Sequence, residues 1–466
     1  MSIKFGTDGW RAVIARDFTF ANIRVLSQAI ADYLKTTHKK KNFKVAVGYD
    51  CRFLSKEFAQ EVCGVLSANK IKVILSSEAI PTPLLSLATK NYKADLGIMI
   101  TASHNPYYFN GLKIKTSQGG AADRDITDKV EKLLFKNKPL FISLYEAEEK
   151  GFLQIKDFSS DYIRFLKSYV DTSLIKKRKL KLLVDLMYGS GNSFLEKVLE
   201  GGRVSFRYLR KEFNPSFGGS QPEPVEENLK ELIGEMKKGE FDLGIVLDGD
   251  ADRIACVLKG GRFINAQVIL PLLALHLAKN KKFSGGIVKT VVGSNLIDSV
   301  SLSLGRILYE TPVGFKYISK LFQTEDILVG GEEAGGIGFK NYIPERDGTM
   351  AGLLLLEMVA QEGRNLEELV KDLEKSLGRW FYLRKAIPLK KVKKSVLDKI
   401  KIPDRLLGEG VERVNRLDGI KIITPSFWLM FRASGTEPIL RIYAEAKSKK
   451  KVCQLLSQGE RMINAL

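Results

Sequence analysis

The sequence is poor in cysteine and histidine and has no long apolar run. Its four cysteines, Cys51, Cys63, Cys256 and Cys453, are scattered and form no C-x-x-C pair, which argues against a zinc site and a disulfide framework. No segment approaches the roughly 18 to 20 consecutive apolar residues that a membrane-spanning helix requires. The first residues contain no apolar signal segment. We therefore expect a cytoplasmic protein without membrane contact.

Two common patterns of nucleotide and hydrolase sites are also missing. Neither G-x-x-x-x-G-K-[ST] nor G-x-G-x-x-G in a strand-to-helix setting occurs, which argues against a bound nucleotide. There is no G-x-S-x-G segment, and the only histidines are His38, His104 and His276. A serine hydrolase is therefore disfavoured.

The positive charge of the chain, formally +20 at pH 7, does not by itself indicate a nucleic-acid partner. Basic clusters such as 39–41, 176–181 and 390–394 are spread over the whole length. They lack the interleaved aromatic residues that stack on bases. We predict solvated surface lysines and no nucleic-acid partner, while the excess charge suits an anionic small-molecule substrate.

Several α/β units are indicated by the alternation of short apolar runs and helical segments. The 466 residues are too many for one ordinary domain. The segment 94–100 (ADLGIMI) recurs as 241–247 (FDLGIVL), and a fainter copy ends in 327–331 (ILVGG). These runs predict three related α/β units with mixed, mainly parallel sheets. After about residue 378 the character of the sequence changes, and an apolar run at 427–431 is followed by an alternating run at 440–445.

The first candidate site is the segment 101–106 (TASHNP), which follows the apolar run 96–100. Ser103 and His104 should lie just past the carboxyl end of a strand, where ligands bind in open α/β sheets. An ordinary polar turn is the alternative. Near the N-terminus, residues 5–11 (FGTDGWR) favour a tight turn that presents Arg11, or a plain terminal turn.

The second candidate site is the segment 248–253 (DGDADR). Residues two apart in an extended chain face the same side, so Asp248, Asp250 and Asp252 can converge. Three converging carboxylates need a cation, and Mg²⁺ prefers oxygen ligands. An EF-hand loop is excluded, because its sixth and twelfth positions are Arg253 and Lys259. An acidic surface turn is the alternative.

Two further loops complete the set. In 330–336 (GGEEAGG), Glu332 and Glu333 can accept hydrogen bonds from sugar hydroxyls, although a flexible turn fits as well. The loop 432–438 (RASGTEP) suits a phosphate, because a guanidinium can bind it bidentately while hydroxyls and a backbone amide donate to its other oxygens. The predicted phosphate contacts are Arg432, Ser434, Gly435 and Thr436.

Together these segments, with 111–113 (GLK), resemble the four signature loops of the α-D-phosphohexomutases, the phosphoglucomutase/phosphomannomutase family. The resemblance implies four domains around a central cleft, three with an α/β core and a smaller C-terminal α+β domain. We place them at 1–150, 151–257, 258–375 and 376–466. It also implies the isomerisation of a hexose phosphate. Whether the protein is a monomer or a homodimer stays open.

The resemblance implies a mechanism as well. Ser103 would carry a phosphoryl group, and one Mg²⁺ per chain would be held by that phosphate with the three aspartates. Hexose 1,6-bisphosphate would be the intermediate and activator. Lys113 is our candidate general base, on the expectation that a desolvated lysine beside cations titrates low, and Lys316 is its competitor. The remaining predicted site residues are His104, Arg11 and Arg253 for catalysis, Gly314 for the sugar and Arg441 for phosphate.

The sugar preference follows from departures from the family pattern. Many relatives have Ser where this chain has Ala334, and some have His at Gly336 and Phe315. The third loop does not fit the glucosamine-phosphate branch, so glucose is favoured, with mannose second. A metal-dependent sugar phosphatase and a phosphoglucosamine mutase are the alternatives.

Overall fold

The computed structural model describes residues 3–6, 8–37, 42–388, 397, 399–433 and 439–465. Within these ranges the chain forms three α/β units and a C-terminal unit built on an antiparallel sheet, so the predicted fold class is confirmed.

The first unit has a mixed sheet with the strand order β1-β5-β4-β2-β3-β6. Its strands are β1 (Trp10–Val13), β2 (Lys44–Tyr49), β3 (Lys72–Ser76), β4 (Leu96–Ile100), β5 (Phe109–Thr116) and β6 (Leu153–Lys156). Its helices are α1 (Phe20–Thr37), α2 (Ser55–Ala68), α3 (Thr82–Asn91), α4 (Arg124–Leu133) and α5 (Leu144–Glu149).

The second unit has the strand order β11-β10-β9-β7-β8. Its strands are β7 (Leu180–Asp185), β8 (Val204–Leu209), β9 (Leu243–Leu247), β10 (Ile254–Leu258) and β11 (Phe263–Ile264). Its helices are α6 (Ser159–Tyr169), α7 (Thr172–Lys177), α8 (Phe194–Leu199) and α9 (Lys230–Lys237).

The third unit has the strand order β13-β12-β14-β15. Its strands are β12 (Gly286–Thr290), β13 (Leu308–Thr311), β14 (Ile327–Gly331) and β15 (Ile337–Phe339). Its helices are α10 (Ala266–Leu275), α11 (Asn295–Ser303), α12 (Phe315–Thr324), α13 (Gly348–Glu362) and α14 (Leu366–Leu377).

In the C-terminal unit, the main sheet has the order β16-β22-β21-β20-β19 and is antiparallel throughout. Its strands, with a separate two-stranded ribbon β17-β18, are β16 (Phe381–Pro388), β17 (Arg405–Leu406), β18 (Glu409–Gly410), β19 (Arg413–Asn415), β20 (Ile420–Ile423), β21 (Phe427–Ala433) and β22 (Ile439–Ala446). Helix α15 (Lys449–Asn464) packs on one face.

The three α/β units repeat one topology. In each, a central strand (β2, β7 or β12) pairs in parallel with two neighbours. One of those neighbours (β4, β9 or β14) then pairs with the next strand in antiparallel fashion. The three predicted site loops each join these last two strands, so they occupy equivalent positions in the three units.

The units do not divide where the sequence suggests. Strand β6 hydrogen bonds to β3, so the first sheet extends past the predicted boundary at residue 150. Strands β10 and β11 carry the second sheet past residue 257. In both cases the outermost strand, β6 or β11, is a short strand at a sheet edge, and so short a segment gives little periodic signal in the sequence.

One buried apolar cluster joins the first three units, so they pack against each other extensively. It includes Leu85 of α3, Ile245 of β9 and Leu354 of α13. The C-terminal sheet contacts the third unit through a smaller cluster, in which Trp428 and Tyr443 pack with Val291. Among the described residues, no helix is both long and apolar enough to cross a membrane.

Candidate active site

Ser103 lies in the turn between β4 and β5, where the sequence predicts it. Its φ is 52° and its side chain is buried. Arg52 holds the turn, because Nη2 donates to the carbonyls of Ser103 at 2.5 Å and Asn105 at 2.7 Å. The Ser103 amide donates to Thr101 Oγ1 at 2.8 Å. A non-glycine residue in this region costs roughly 1–3 kcal/mol, so these bonds hold a strained turn.

The three aspartates converge in the turn between β9 and β10. Each is buried, and one carboxylate oxygen of each lies within 4.8 Å of the other two. Asp248 Oδ2 accepts a hydrogen bond from Ser103 Oγ at 3.2 Å. Within the described part of the chain, Oδ1 of Asp250 and Oδ1 of Asp252 are buried without a hydrogen-bond partner. Buried carboxylate oxygens without hydrogen-bond partners, on residues that cluster in this way, fit a divalent cation with oxygen ligands.

The serine turn and the aspartate turn are in direct contact. A Cβ added at Gly249 would lie 2.5 Å from the carbonyl oxygen of Ser103, so glycine allows this approach. Thr82, at the start of α3, donates from Oγ1 to Asp250 Oδ2 at 2.5 Å. The first unit therefore supplies both the hydroxyl and part of the support for the aspartates.

The pKa values of Asp248 and Asp250 are shifted in opposite directions. Burial and the charges of Asp252 and Asp250 raise the pKa of Asp248 well above its ordinary value. Burial also acts to raise the pKa of Asp250, but the neighbouring Lys113 ammonium outweighs it and lowers that pKa. A bound cation would relieve the repulsion that Asp248 experiences.

The sequence-based expectation that the pKa of Lys113 is lowered is wrong, because carboxylates surround its ammonium. Its ammonium lies 2.8 Å from Asp250 Oδ2, 3.1 Å from Asp252 Oδ2 and 3.0 Å from Asp8 Oδ2. Burial favours a lower pKa, but these carboxylates outweigh burial and raise the pKa of Lys113. The sequence placed Lys113 near cations, whereas the fold surrounds it with acids.

Arg253 follows the aspartates and lines the same turn. Its amide donates to Asp248 Oδ1 at 3.1 Å. Its Nε lies 3.7 Å from Asp252 Oδ1, and its Nη1 lies 4.0 Å from Glu223 Oε1. The guanidinium is buried among acidic groups, as a residue that assists phosphoryl transfer would need.

His104 and Arg11 flank the serine. The His104 Nδ1 lies 3.4 Å from Ser103 Oγ. Burial and the charges of Arg253 and Arg11 hold the pKa of His104 well below its ordinary value, so the ring is neutral at pH 7. Arg11 lies on β1 rather than in the turn before it, and donates from Nη1 to Asn105 Oδ1 at 2.7 Å.

The two glutamates of the third unit lie in the hairpin between β14 and β15. The Glu332 amide donates to the Gly336 carbonyl at 2.9 Å. Glu332 is buried, and burial raises its pKa. Glu333 Oε2 accepts from Thr290 Oγ1 at 3.3 Å. The hairpin adjoins the aspartate turn, because the Ile254 amide donates to the Gly335 carbonyl at 3.0 Å.

Lys316, the competing candidate for the general base, lies in the first turn of α12. Gly314, with a φ of 131°, directly precedes the helix, and Phe315 is its first residue. Burial and the nearby charge of Arg124 lower the pKa of Lys316. Of the two candidate general bases, Lys316 therefore has the lowered pKa, whereas that of Lys113 is raised.

The predicted phosphate loop of the fourth unit is only partly described. Arg432 Nε lies 2.7 Å from Asp418 Oδ2, and Arg441 is directly opposite Arg432 on the neighbouring strand. Two guanidiniums in register repel each other unless an anion lies nearby. Ser434, Gly435 and Thr436 lie outside the described residues.

Sequence reasoning missed Arg346, which joins the first three units. Its Nη2 lies 2.6 Å from Asp8 Oδ2 and 2.7 Å from Asp252 Oδ2, and its Nη1 lies 2.9 Å from Glu332 Oε2. The signal was available: 345–347 (ERD) places three charges directly before the apolar helix α13. Charges at such a position are buried only when they are paired.

Fold and site together define a class of protein: multidomain α/β enzymes that assemble one phosphate-handling site from equivalent loops of repeated units. Family models described as phosphoglucomutase/phosphomannomutase alpha/beta/alpha domains I, II and III match residues 2–140, 160–261 and 265–377, and the model of the C-terminal domain matches 367–458. The chain belongs to the α-D-phosphohexomutase family. It is a phosphohexomutase, an isomerase of hexose phosphates.

Individual relatives differ in the sugar named. The phosphoglucomutase/phosphomannomutase of Thermococcus kodakarensis is 30% identical, over 98% of each chain. The phosphoglucosamine/phosphogalactosamine mutase of Sulfurisphaera tokodaii is also 30% identical, over 98% of each chain. A crystal structure from Thermus thermophilus, assigned as a phosphomannomutase, matches with a TM-score of 0.88 and 35% identity, over 100% of this chain and 99% of the other.

Proposed function

We propose that the protein moves a phosphoryl group between the 1- and 6-positions of a hexose phosphate, with glucose phosphate as the preferred substrate and mannose phosphate second. The observation that carries the proposal is the 3.2 Å distance between Ser103 Oγ and Asp248 Oδ2. It joins a buried hydroxyl with a cluster of carboxylates suited to a divalent cation, which is the arrangement that phosphoryl transfer requires.

The three aspartates, together with the phosphate on Ser103, would hold Mg²⁺. The positive charge of the ion would offset the negative charge of the phosphoryl group during its transfer. Ser103 Oγ releases its phosphoryl group to a sugar hydroxyl, so one P–O bond breaks as another forms and a hexose 1,6-bisphosphate results. The hexose 1,6-bisphosphate then reorients in the site, and its other phosphoryl group is transferred back to Ser103 Oγ. Arg253 donates to phosphoryl oxygens during each transfer.

The proton of the attacking sugar hydroxyl needs an acceptor. Lys316 is the better candidate, because its half-buried ammonium titrates below the ordinary value, whereas Lys113 is fixed as a cation by Asp250 and Asp252. Lys113 instead balances the negative charge of the aspartate turn. Glu332 and Glu333 accept hydrogen bonds from sugar hydroxyls, and Gly314 leaves space for the sugar beside α12. Arg432 and Arg441, with the loop after Arg432, bind the phosphate that is not reacting.

The sugar preference depends on the wall of the third unit. A Cβ at Gly336 would lie 2.2 Å from Arg346 Cδ, so no larger side chain fits there while Arg346 keeps its position. The Arg346 guanidinium also lies 5.3 Å from the centre of the Phe315 ring. With Gly336 and Phe315 at these positions, recognition of the sugar hydroxyls by this wall depends on Glu332, Glu333 and Arg346.

A coupled assay with glucose 1-phosphate, mannose 1-phosphate and glucosamine 1-phosphate tests the proposal. We expect the highest kcat/KM with glucose 1-phosphate, activation by catalytic hexose 1,6-bisphosphate, and loss of activity after metal chelation that Mg²⁺ restores. Preference for glucosamine 1-phosphate would contradict the sugar assignment. Stoichiometric release of inorganic phosphate would indicate a sugar phosphatase, because a mutase returns nearly all phosphate to the sugar.

A further inference from the structure

Arg384 of β16 lies on the same face of the C-terminal sheet as the two predicted phosphate ligands. Strand β22 lies between β16 and β21. Its Tyr443 is opposite Arg384 of β16, and its Arg441 is opposite Arg432 of β21. Residues directly opposite each other, and residues two apart along a strand, point to the same side of a sheet. Arg384, Arg432 and Arg441 therefore project from one face.

That face points toward the other units and the site. Tyr443, directly beside Arg384, packs with Val291 of the third unit. The Arg384 guanidinium lies 2.6 Å from Glu223 Oε1 of the second unit. Arg384 is thus a cation of the fourth unit that reaches a loop of the second.

Glu223 is well placed to hold this cation when no substrate is bound. The same carboxylate oxygen lies 4.0 Å from Arg253 Nη1, so it is positioned between a guanidinium of the fourth unit and one of the aspartate turn. An anionic group between two guanidiniums is the position that a substrate phosphate would take. The Arg384 side chain is 37% exposed, so an incoming anion can reach it.

We propose that Arg384 binds a phosphate oxygen of the hexose phosphate and that Glu223 is the carboxylate it leaves when substrate enters. The identity of this ligand rests on the proposed function. Arg384 is then a further substrate-binding residue. Glu223 competes with the substrate phosphate for Arg384, which weakens binding, but it also holds the guanidinium in position when no substrate is bound. Neither residue belongs to the four signature loops.

The test measures binding of glucose 1-phosphate by calorimetry in the Ser103→Ala background, where covalent transfer cannot occur, together with KM and kcat in the otherwise unchanged protein. Arg384→Ala should weaken binding and raise KM by roughly 10- to 100-fold, as expected for the loss of a charge-assisted hydrogen bond. Lys385→Ala is the matched control. Lys385 is the next residue on the same strand, projects to the opposite face and pairs with Glu460 at 2.5 Å. It should leave KM unchanged.

Glu223→Gln should strengthen binding by about two- to fivefold, because a partly exposed ion pair of this kind contributes only up to ~1 kcal/mol. In the Arg384→Ala background the gain should be smaller, because Glu223 then pairs only with the more distant Arg253 guanidinium. Glu227→Gln, an exposed change in the same segment, is its control. Equal KM values for Arg384→Ala and Lys385→Ala, or an unchanged or weaker affinity in Glu223→Gln, would overturn the inference. Absence of any glucose 1-phosphate binding in the parent protein would instead contradict the proposed function.

Discussion

The Arg346 guanidinium of the third unit lies 2.6 Å from the Asp8 carboxylate of the first, although the two residues are 338 positions apart in the sequence. The same guanidinium pairs with Asp252 of the second unit and Glu332 of the third. Burial favours a higher pKa for Asp8, but the charges of Lys113, Lys115 and Arg346 outweigh it and keep that carboxyl ionised. One buried guanidinium therefore fixes three site loops relative to one another.

Replacement of Arg346 should be costly for both stability and activity. Arg346→Ala removes the guanidinium that pairs with buried Glu332 and leaves Asp8 and Asp252 with Lys113, and breaking a buried ion pair typically costs about 3–5 kcal/mol. We expect a lower free energy of unfolding in urea and a lower kcat. Arg364→Ala is the control, because Arg364 pairs with Asp372 at the surface, and its loss should leave the free energy of unfolding nearly unchanged. Equal losses in the two variants would contradict the role given to Arg346.

Ser103→Ala should abolish the phosphorylated form and most turnover. Intact-mass spectrometry of the unchanged protein, after incubation with hexose 1,6-bisphosphate, should show a species about 80 Da heavier, the mass of one added phosphoryl group. The variant should show none. Ser190→Ala serves as control, because Ser190 is a buried serine near the aspartate turn that donates only to the Gly249 carbonyl. Undiminished turnover in Ser103→Ala would rule out a covalent route through this residue.

Asp347 should give the protein a distinctive pH dependence of stability. Burial raises the pKa of this carboxyl to about 6, although it caps α13 and accepts hydrogen bonds from the Tyr162 and Tyr342 hydroxyls. A pKa that is higher in the folded state stabilises the fold below the unfolded pKa near 3.8, and this stabilisation is lost as the pH rises through about 6.

The measurement is urea unfolding at several pH values for the unchanged protein and for Asp347→Asn, which keeps a capping oxygen. The unfolding free energy of the unchanged protein should fall relative to that of the variant by up to about 3 kcal/mol between about pH 4 and 7. A constant difference across this range would show that Asp347 is ionised in the folded protein throughout.

Gly336→Ala should disturb the wall of the third unit that we propose to bind the sugar. The added Cβ meets Arg346 Cδ at 2.2 Å, so the guanidinium must shift away from Glu332 and Asp252. We expect kcat/KM to fall by about tenfold or more, together with a loss of stability. Gly234→Ala, in helix α9 with no atom within 4 Å of the new Cβ, should instead stabilise by about 0.5–1 kcal/mol. Unchanged kinetics in Gly336→Ala would show that Arg346 can move without consequence.

The sequence by itself predicted the α/β repeats, because short buried strands such as β4 and β9 are apolar along their whole length and end in polar loops. It also predicted that Asp248, Asp250 and Asp252 converge, since their spacing is local. The positions of edge strands such as β6 did not follow, because a mostly exposed strand carries little apolar pattern.

Only the tertiary structure decided which charges meet. Local spacing cannot show that Lys113 lies among carboxylates, that the pKa of Lys316 is lowered, or that Arg346 joins three units. Most of these contacts link residues of different units that are far apart in the sequence, and they exist because the packing of the units brings the segments together. The sequence therefore determined which groups the protein has for phosphoryl transfer. The packing of the units determined their partners, because the energy of a charge depends on what surrounds it in space.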